Sequence, residues 1–257
     1  DYSMFSKLEK WINPIYLDES YIQLLQQTLL AKTEAKYLVL DNFFRTNKLN
    51  EMIQRHKRLK FSERKDMYSH DGQLLPYDGA VKFMNRFDYG YDILFSKEWE
   101  RYVRRLVSLD YKGELFTQVK LRYHKPHAKG FWIHTDSLKR KIVCICYFNK
   151  NWKVSDGGLL QLWRPDECRM ETTLKVSHSV DSKMEFLSNN TRLNTSSVGG
   201  CSPDDRDSID FILTDQIIPA YNRVFIANLE SNLTYHSVSP SNERERTGFV
   251  QWMGLPE

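Results

Sequence analysis

The chain has 257 residues, 41% of them hydrophobic and 27% charged, which is enough for one large core or two modest ones. Its formal net charge of +4 is too slight to imply a nucleic-acid partner, and the local basic runs Lys139-Arg140-Lys141 and 101–105 read as solvated faces. No apolar run approaches the roughly 20 residues of a membrane-spanning helix, and no signal-like apolar stretch opens the sequence; a soluble, cytoplasmic protein is expected.

In chain order, residues 3–11 and 18–32 show helical spacing, the second with Leu24, Leu25, Leu29 and Leu30 along one face and Asp18 as its cap. A strand is predicted over 37–41, a helix over 46–58 opened by Thr46 or Asn47, and another over 95–107. Between these helices, residues 66–90 contain Asp71-Gly72 and Pro76-Tyr77-Asp78-Gly79, turn signals that mark an irregular loop or a hairpin.

From residue 114 the pattern changes to short strands, predicted over 115–123, 131–136, 141–149, 158–163, 210–214, 222–228, 232–238 and 245–253. About eight antiparallel strands suit a double-sheet jelly roll, which buries its inner face and opens a cavity at one mouth. The expected fold class is therefore mainly β with helices (α+β). Its core is a double-stranded β-helix, cupin-like, over 114–253, buttressed by a helical and strand region over 1–113 in a single domain spanning 1–257. A polar insert at about 165–209 interrupts the core, and its residues 170–180 alternate in a way that predicts an extra hairpin. A connection of that length is either a functional lid or an excursion; it is expected to cover the substrate side of the mouth.

Cysteine usage points to a reducing compartment. Cys144 and Cys146 share one face of a predicted strand and read as buried, free thiols, and Cys168 and Cys201 in loop-like sequence read as free too. The sequons at Asn189, Asn194 and Asn232 are read as chance, with no secretory signal to give them meaning.

The chemistry concentrates in Gly130-Phe131-Trp132-Ile133-His134-Thr135-Asp136. Side chains two apart on a strand leave the same face, so His134 and Asp136 are placed to reach one metal ion. A second imidazole comes from another β-rich run, Leu233-Thr234-Tyr235-His236-Ser237-Val238, which stops at Pro240. Two His and one carboxylate leave open positions on Fe(II) for oxygen and a co-substrate, whereas structural zinc sites are normally closed by four ligands, often Cys. Ten residues after His236 stands Arg246, a cation able to grip a carboxylate bidentately. Arg244, two residues earlier, competes for that role.

Over residues 115–253 the chain resembles the Fe(II)- and 2-oxoglutarate-dependent dioxygenases of the prolyl 4-hydroxylase type. The resemblance is carried by an ordered series: Tyr123, Gly130 before His134-Thr135-Asp136, Tyr147-Phe148-Asn149, Asp156-Gly157-Gly158-Leu159, Pro219, Asn222-Arg223, His236-Ser237-Val238, and Arg246 with Trp252 beyond it. The upstream segment from Tyr37 to Phe44 is similar to the opening segment of that family. The resemblance implies that His134, Asp136 and His236 bind iron and that Arg246, with Trp252 six residues beyond it, rather than Arg244, pairs with the distal carboxylate of 2-oxoglutarate. Tyr123 and Tyr147 are implied to line the co-substrate pocket, with Thr247 a weaker candidate.

The implied reaction consumes O2 and 2-oxoglutarate, releases succinate and CO2, and hydroxylates an unactivated C–H bond, with ascorbate as a candidate reductant. Aspartate at 136, where related halogenases carry a small residue, favours hydroxylation. Trp252 stands where nucleic-acid demethylases of the superfamily carry a second Arg, which disfavours base repair, and histone-demethylase relatives use Lys rather than Arg for the co-substrate. The substrate is then a protein or peptide residue, or a free amino acid, glycan or natural product. Trp132, Trp163, Arg122 and His124 flank the site in sequence as substrate-side candidates. Two other classes stay open, a cupin-like metal enzyme that does not use 2-oxoglutarate and a binding module on the same jelly roll, and the oligomeric state is open as well.

Overall fold

The computed structural model describes residues 7–60, 62–63, 67–70, 73–76, 79–128, 130–136, 138–165, 192–195, 209–230 and 234–256, with backbone alone for those among 61–81, for 131–134, 165, 192–195 and 209–210. Two short 3-10 helices, Leu8–Lys10 and Pro14–Leu17, lead into α1 (Glu19–Ala31), whose first turn is capped by the Asp18 carboxylate accepting the Tyr21 N–H at 2.9 Å. The buried face of α1 carries Ile22, Leu25 and Leu29, while Leu24 and Leu30 are exposed. Only Leu25 and Leu29 of the four leucines expected on one face share it, since the helix turns Leu24 and Leu30 away from the positions three and four apart that form the stripe.

Then follow β1 (Lys36–Leu40), α2 (Thr46–Arg58), β2 (Ser62–Glu63), β3 (Met67–His70), β4 (Gln73–Pro76) and β5 (Gly79–Met84). A 3-10 turn, Asp92–Phe95, precedes α3 (Lys97–Leu106), which is capped by Ser96. The core strands are β6 (Phe116–His124), β7 (Phe131–His134), β8 (Arg140–Tyr147), β9 (Leu160–Pro165), β10 (Arg192–Thr195), β11 (Ile209–Ile217), β12 (Val224–Asn228), β13 (Tyr235–Val238) and β14 (Arg246–Gly254).

The strands form a double-stranded β-helix of two facing antiparallel sheets. The major sheet has the order β1-β12-β8-β14-β6-β5-β2 and the minor sheet β10-β11-β9-β13-β7, with β3 and β4 paired as a separate hairpin. The N-terminal region does more than buttress, because β1 and β5 extend the major sheet on its two sides. The hairpin reading of residues 66–90 agrees with the β3–β4 pair, while the strand at β5 escaped the turn-dominated reading of that stretch. Residues 170–180 of the insert, together with Cys168 and Cys201, lie outside the described residues. No helix among the described residues is long and apolar enough to cross a membrane.

Alternation along the major sheet separates two cores. One face packs Val119, Leu121, Ile142, Cys144, Cys146 and Phe249 against the helices. The other face turns Val143, Tyr147, Val250 and Trp252 towards Leu160 and Leu162 of the minor sheet. Each fully buried large apolar side chain contributes about 1.5–3 kcal/mol, so both faces fix the register. Polar clamps reinforce it. Gln251, fully buried, accepts the Trp99 indole N–H at 2.8 Å and donates to the Leu94 carbonyl at 2.6 Å, tying β14 to the α3 layer. Asn222, held at a left-handed φ of 58°, accepts the Phe44 N–H at 2.9 Å and donates to the Phe44 carbonyl at 2.8 Å. Cys144 and Cys146 are buried and free, and burial pushes both thiols far above their ordinary range, which makes them inert.

Candidate active site between the two sheets

On the minor sheet, β13 lies between β7 and β9. The pairing sets His236 opposite Leu162 on one side and opposite His134 on the other. Since Leu162 belongs to the core between the sheets, His236 shares that inward face. Its Nδ1 stands 3.0 Å from the Thr234 carbonyl. A carbonyl only accepts, so Nδ1 carries the proton and Nε2 presents the lone pair, the tautomer a metal ligand needs. The His134 backbone is its direct cross-strand neighbour, and its side chain lies outside the described ones, as does that of Trp132.

Asp136 follows β7, with a side chain only 8% exposed. One carboxylate oxygen accepts Arg140 Nη1 at 2.7 Å, and the other accepts the Trp252 indole N–H at 3.1 Å. The sequence reading placed Asp136 at the site without these two neighbours. Their signal was available: Arg140 is four residues on, and Trp252 shares the even-numbered face of β14 with Arg246. Among the described residues no group of three His, Cys, Asp or Glu stands at metal-holding range; the side chain at position 134 lies outside them.

Arg246 opens β14 and is buried. Its guanidinium carbon lies 5.2 Å from the centre of the Tyr147 ring, and across the strand pair it faces His124. Gly158 makes room for it: at a φ of +62°, a Cβ there would sit 2.9 Å from Arg246 Cδ. The Tyr147 hydroxyl is buried against the Arg246 guanidinium. Burial raises its pKa, while the charge of Arg246 and a hydrogen bond from it work against that; a guanidinium only donates, so the protonated phenol keeps its own O–H as a donor. His124 is also buried. Burial first, then the charges of Arg246 and Arg122, push its pKa well below the ordinary value, so it stands neutral beside the guanidinium.

Arg122, on the same face of β6 as His124, places its guanidinium carbon 5.5 Å from the Trp252 ring centre. The structure thus brings His236, Asp136, Arg246, Tyr147, His124 and Arg122 to the space between the sheets. Tyr123 and Thr247, expected beside the co-substrate, lie on the opposite face of the major sheet. There Tyr123 donates to Glu245, the Thr247 N–H donates to Asn149 Oδ1 at 2.8 Å, and both line a groove of about 400 Å³ against α2. The physical reason is strand parity: each is adjacent to, or paired with a residue adjacent to, an inward position. Trp163 likewise turns away from His236, donating its indole N–H to Ser237 Oγ at 2.8 Å on the other face of the minor sheet. Arg244 precedes β14 and is engaged by Asp156 at 3.0 Å and by the carbonyls of Lys150 and Asn151.

No protein-family model matches the sequence, and no curated protein matches it. Solved structures do resemble the fold. A prolyl-4-hydroxylase of Pseudomonas putida superposes with a TM-score of 0.55 at 13% identity, covering 91% of this chain and 99% of that one. A prolyl hydroxylase of Trichoplax adhaerens, in complex with a hypoxia-inducible-factor oxygen degradation domain peptide fragment, gives 0.54 at 12% identity over 93% and 95%. HygX of Streptomyces hygroscopicus, with nickel, 2-oxoglutarate and hygromycin B bound, gives 0.53 at 10% identity over 90% and 86%. At such identities the likeness is one of architecture, and the chain has the double-stranded β-helix fold of the 2-oxoglutarate- and Fe(II)-dependent oxygenases.

Proposed function

We propose that this protein is an Fe(II)- and 2-oxoglutarate-dependent oxygenase that hydroxylates an unactivated C–H bond, with the 1–113 region and the 114–253 core acting as one catalytic domain. The observation that carries the reading is the convergence, on the facing surfaces of two sheets, of His236 beside position 134, of Asp136, and of the buried pair Arg246–Tyr147. In this reading His134, Asp136 and His236 hold the iron, and two imidazoles with one carboxylate suit that ion. The Nε2 nitrogen of His236 and the Tyr147 hydroxyl beside Arg246 fit a metal and an anionic co-substrate respectively. When bound, the iron supplies the oxygen activation that no side chain provides.

The chain's own part is binding and exclusion. Arg246 takes the distal carboxylate of 2-oxoglutarate as a charge-assisted pair, and Tyr147 donates to the same co-substrate. His124, held neutral, adds no further positive charge beside Arg246. Leu160, Leu162 and Val250 keep water from the space between. Aspartate rather than a small residue at 136 favours hydroxylation. The structural relatives take a peptide in one case and hygromycin B in another, which supports a substrate that is either a protein residue or a small molecule, with Arg122 and Trp252 at the substrate side of the cavity.

The test is release of succinate from 2-oxoglutarate by the purified protein with Fe(II) and ascorbate, against a panel of peptides and metabolites. Asp136→Ala should abolish iron-dependent turnover, and Arg246→Ala should weaken co-substrate binding by about 2–3 kcal/mol, the scale of a lost charge-assisted pair. A protein that binds neither Fe(II) nor 2-oxoglutarate would refute the assignment.

A further inference from the structure

Asp136, Arg140 and Trp252 form a closed set in which every member touches the other two. The Asp136 oxygens accept Arg140 Nη1 at 2.7 Å and Trp252 Nε1 at 3.1 Å, and the Arg140 guanidinium carbon lies 4.1 Å from the centre of the Trp252 ring. We propose that Arg140 and Trp252 are positioning residues that set the orientation of the Asp136 carboxylate and thereby the affinity and coordination of the metal, a role that rests on the metal-site reading above.

The terminal torsion of an aspartate is broad and intrinsically loose. Two donors acting from different strands, one on each oxygen, remove that freedom while leaving lone pairs on both oxygens, since an ionised carboxylate offers about four acceptor sites. Burial strengthens the arrangement: the side chains of Asp136 and Arg140 are 8% and 19% exposed. The indole is itself confined, because Lys120 Nζ lies 4.9 Å from its centre and the Arg122 guanidinium carbon 5.5 Å. Its N–H is thereby held towards the carboxylate.

The residue types matter individually. A Lys at 140 keeps the charge but loses the flat surface that stacks on the indole. A Phe at 252 keeps the stack but has no donor. A simple clasp between β14, β8 and the end of β7 would depend on the same contacts, yet it would register in stability and leave the metal untouched.

The full chain is titrated with Mn(II) by calorimetry, and the visible absorption of its Co(II) form is recorded, for the wild type and for Trp252→Phe, Arg140→Gln and Arg140→Lys, each checked for folding by circular dichroism. The expected result is a loss of Mn(II) affinity of about 10-fold or more in Trp252→Phe and Arg140→Gln, the range for lost partners of a metal ligand, with altered Co(II) bands. Arg140→Lys should fall between Arg140→Gln and the wild type. In the Trp252→Phe/Arg140→Gln double variant the loss should be smaller than the sum, because the two act through one carboxylate. Folded variants that bind Mn(II) as the wild type does and leave the Co(II) spectrum unchanged would overturn the positioning role and leave the metal site standing. A wild type that binds neither ion would instead overturn the metal-site reading, and this role with it.

Discussion

Gly158→Ala isolates the cradle around Arg246. Two costs follow from the structure. The first is backbone strain: Gly158 sits at a φ of +62°, where an L side chain costs about 1–2 kcal/mol. For a chain of this size that corresponds to a fall in Tm of roughly 2–8 °C. The second is contact. The new Cβ would meet Arg246 Cδ at 2.9 Å, and the comfortable carbon–carbon separation begins at about 3.5 Å, so the arginine must retreat by at least about 0.6 Å. Displacements on the scale of 1 Å cost up to about 100-fold in function, which sets an expectation of about 10-fold weaker 2-oxoglutarate binding. Gly90→Ala is the matched control, because Gly90 also has a positive φ, +88°, but a Cβ there meets nothing within 4 Å. Thermal melts and calorimetric titration of 2-oxoglutarate, with Mn(II) in place of iron, should show both variants destabilised and only Gly158→Ala weakened in binding. If both variants bound the co-substrate like the wild type, the cradle would have no bearing on how Arg246 is presented, and the reasoning would fail.

Two further outcomes follow from buried groups. Tyr147→Phe removes a buried hydroxyl set against the Arg246 guanidinium, so 2-oxoglutarate binding should weaken by roughly 10-fold; a variant that binds the co-substrate as tightly as the wild type would contradict this. His56 and His124 both have folded-state pKa values depressed by burial, below an unfolded value of about 6.5. Below that pH the unfolded chain binds more protons, so their contribution to stability is complete above about pH 6.5 and declines as the pH falls. The decline is up to about 1.4 kcal/mol per pH unit for each histidine. Urea midpoints measured across that window should drop more steeply for the wild type than for His124→Gln, and identical pH profiles would count against the assignment.

The architecture was legible because its strands alternate. β6, β8 and β14 each begin and end within about two residues of their predicted bounds, since one face of each is committed to the helices and the other to the opposing sheet. Residues whose role depends on which face they occupy were less legible when read by spacing alone. Thr247 follows Arg246 directly, and Tyr123 precedes the inward-facing His124, so strand geometry sends both to the helix side, and a count of parity along β14 and β6 would have excluded them. The partners of Asp136 were hidden for another reason. Trp252 reaches it across 116 positions of sequence, and only the facing of two sheets brings them together. β5 was concealed by the turn residues that flank it, which drew attention to the loop rather than to the strand between β6 and β2.

The two-faced character of β14 also makes it a ruler. Arg246 and Trp252, the latter with Asp136 against its indole, stand on one face six residues apart, roughly 20 Å between their backbone positions, and their long side chains reach into the space between. Gaining or losing one residue between them would send Arg246 to the helices while Gln251 and Phe249 stayed in place. Gaining two would keep every face but move the two positions apart by roughly 7 Å of backbone. Neither change is open to gradual compensation, because Gln251 pins the strand to Trp99 and Leu94 between the two marks. The spacing of Arg246 and Trp252 is therefore fixed by the strand, and specificity is open to change through the even-numbered side chains of β14 rather than through its length.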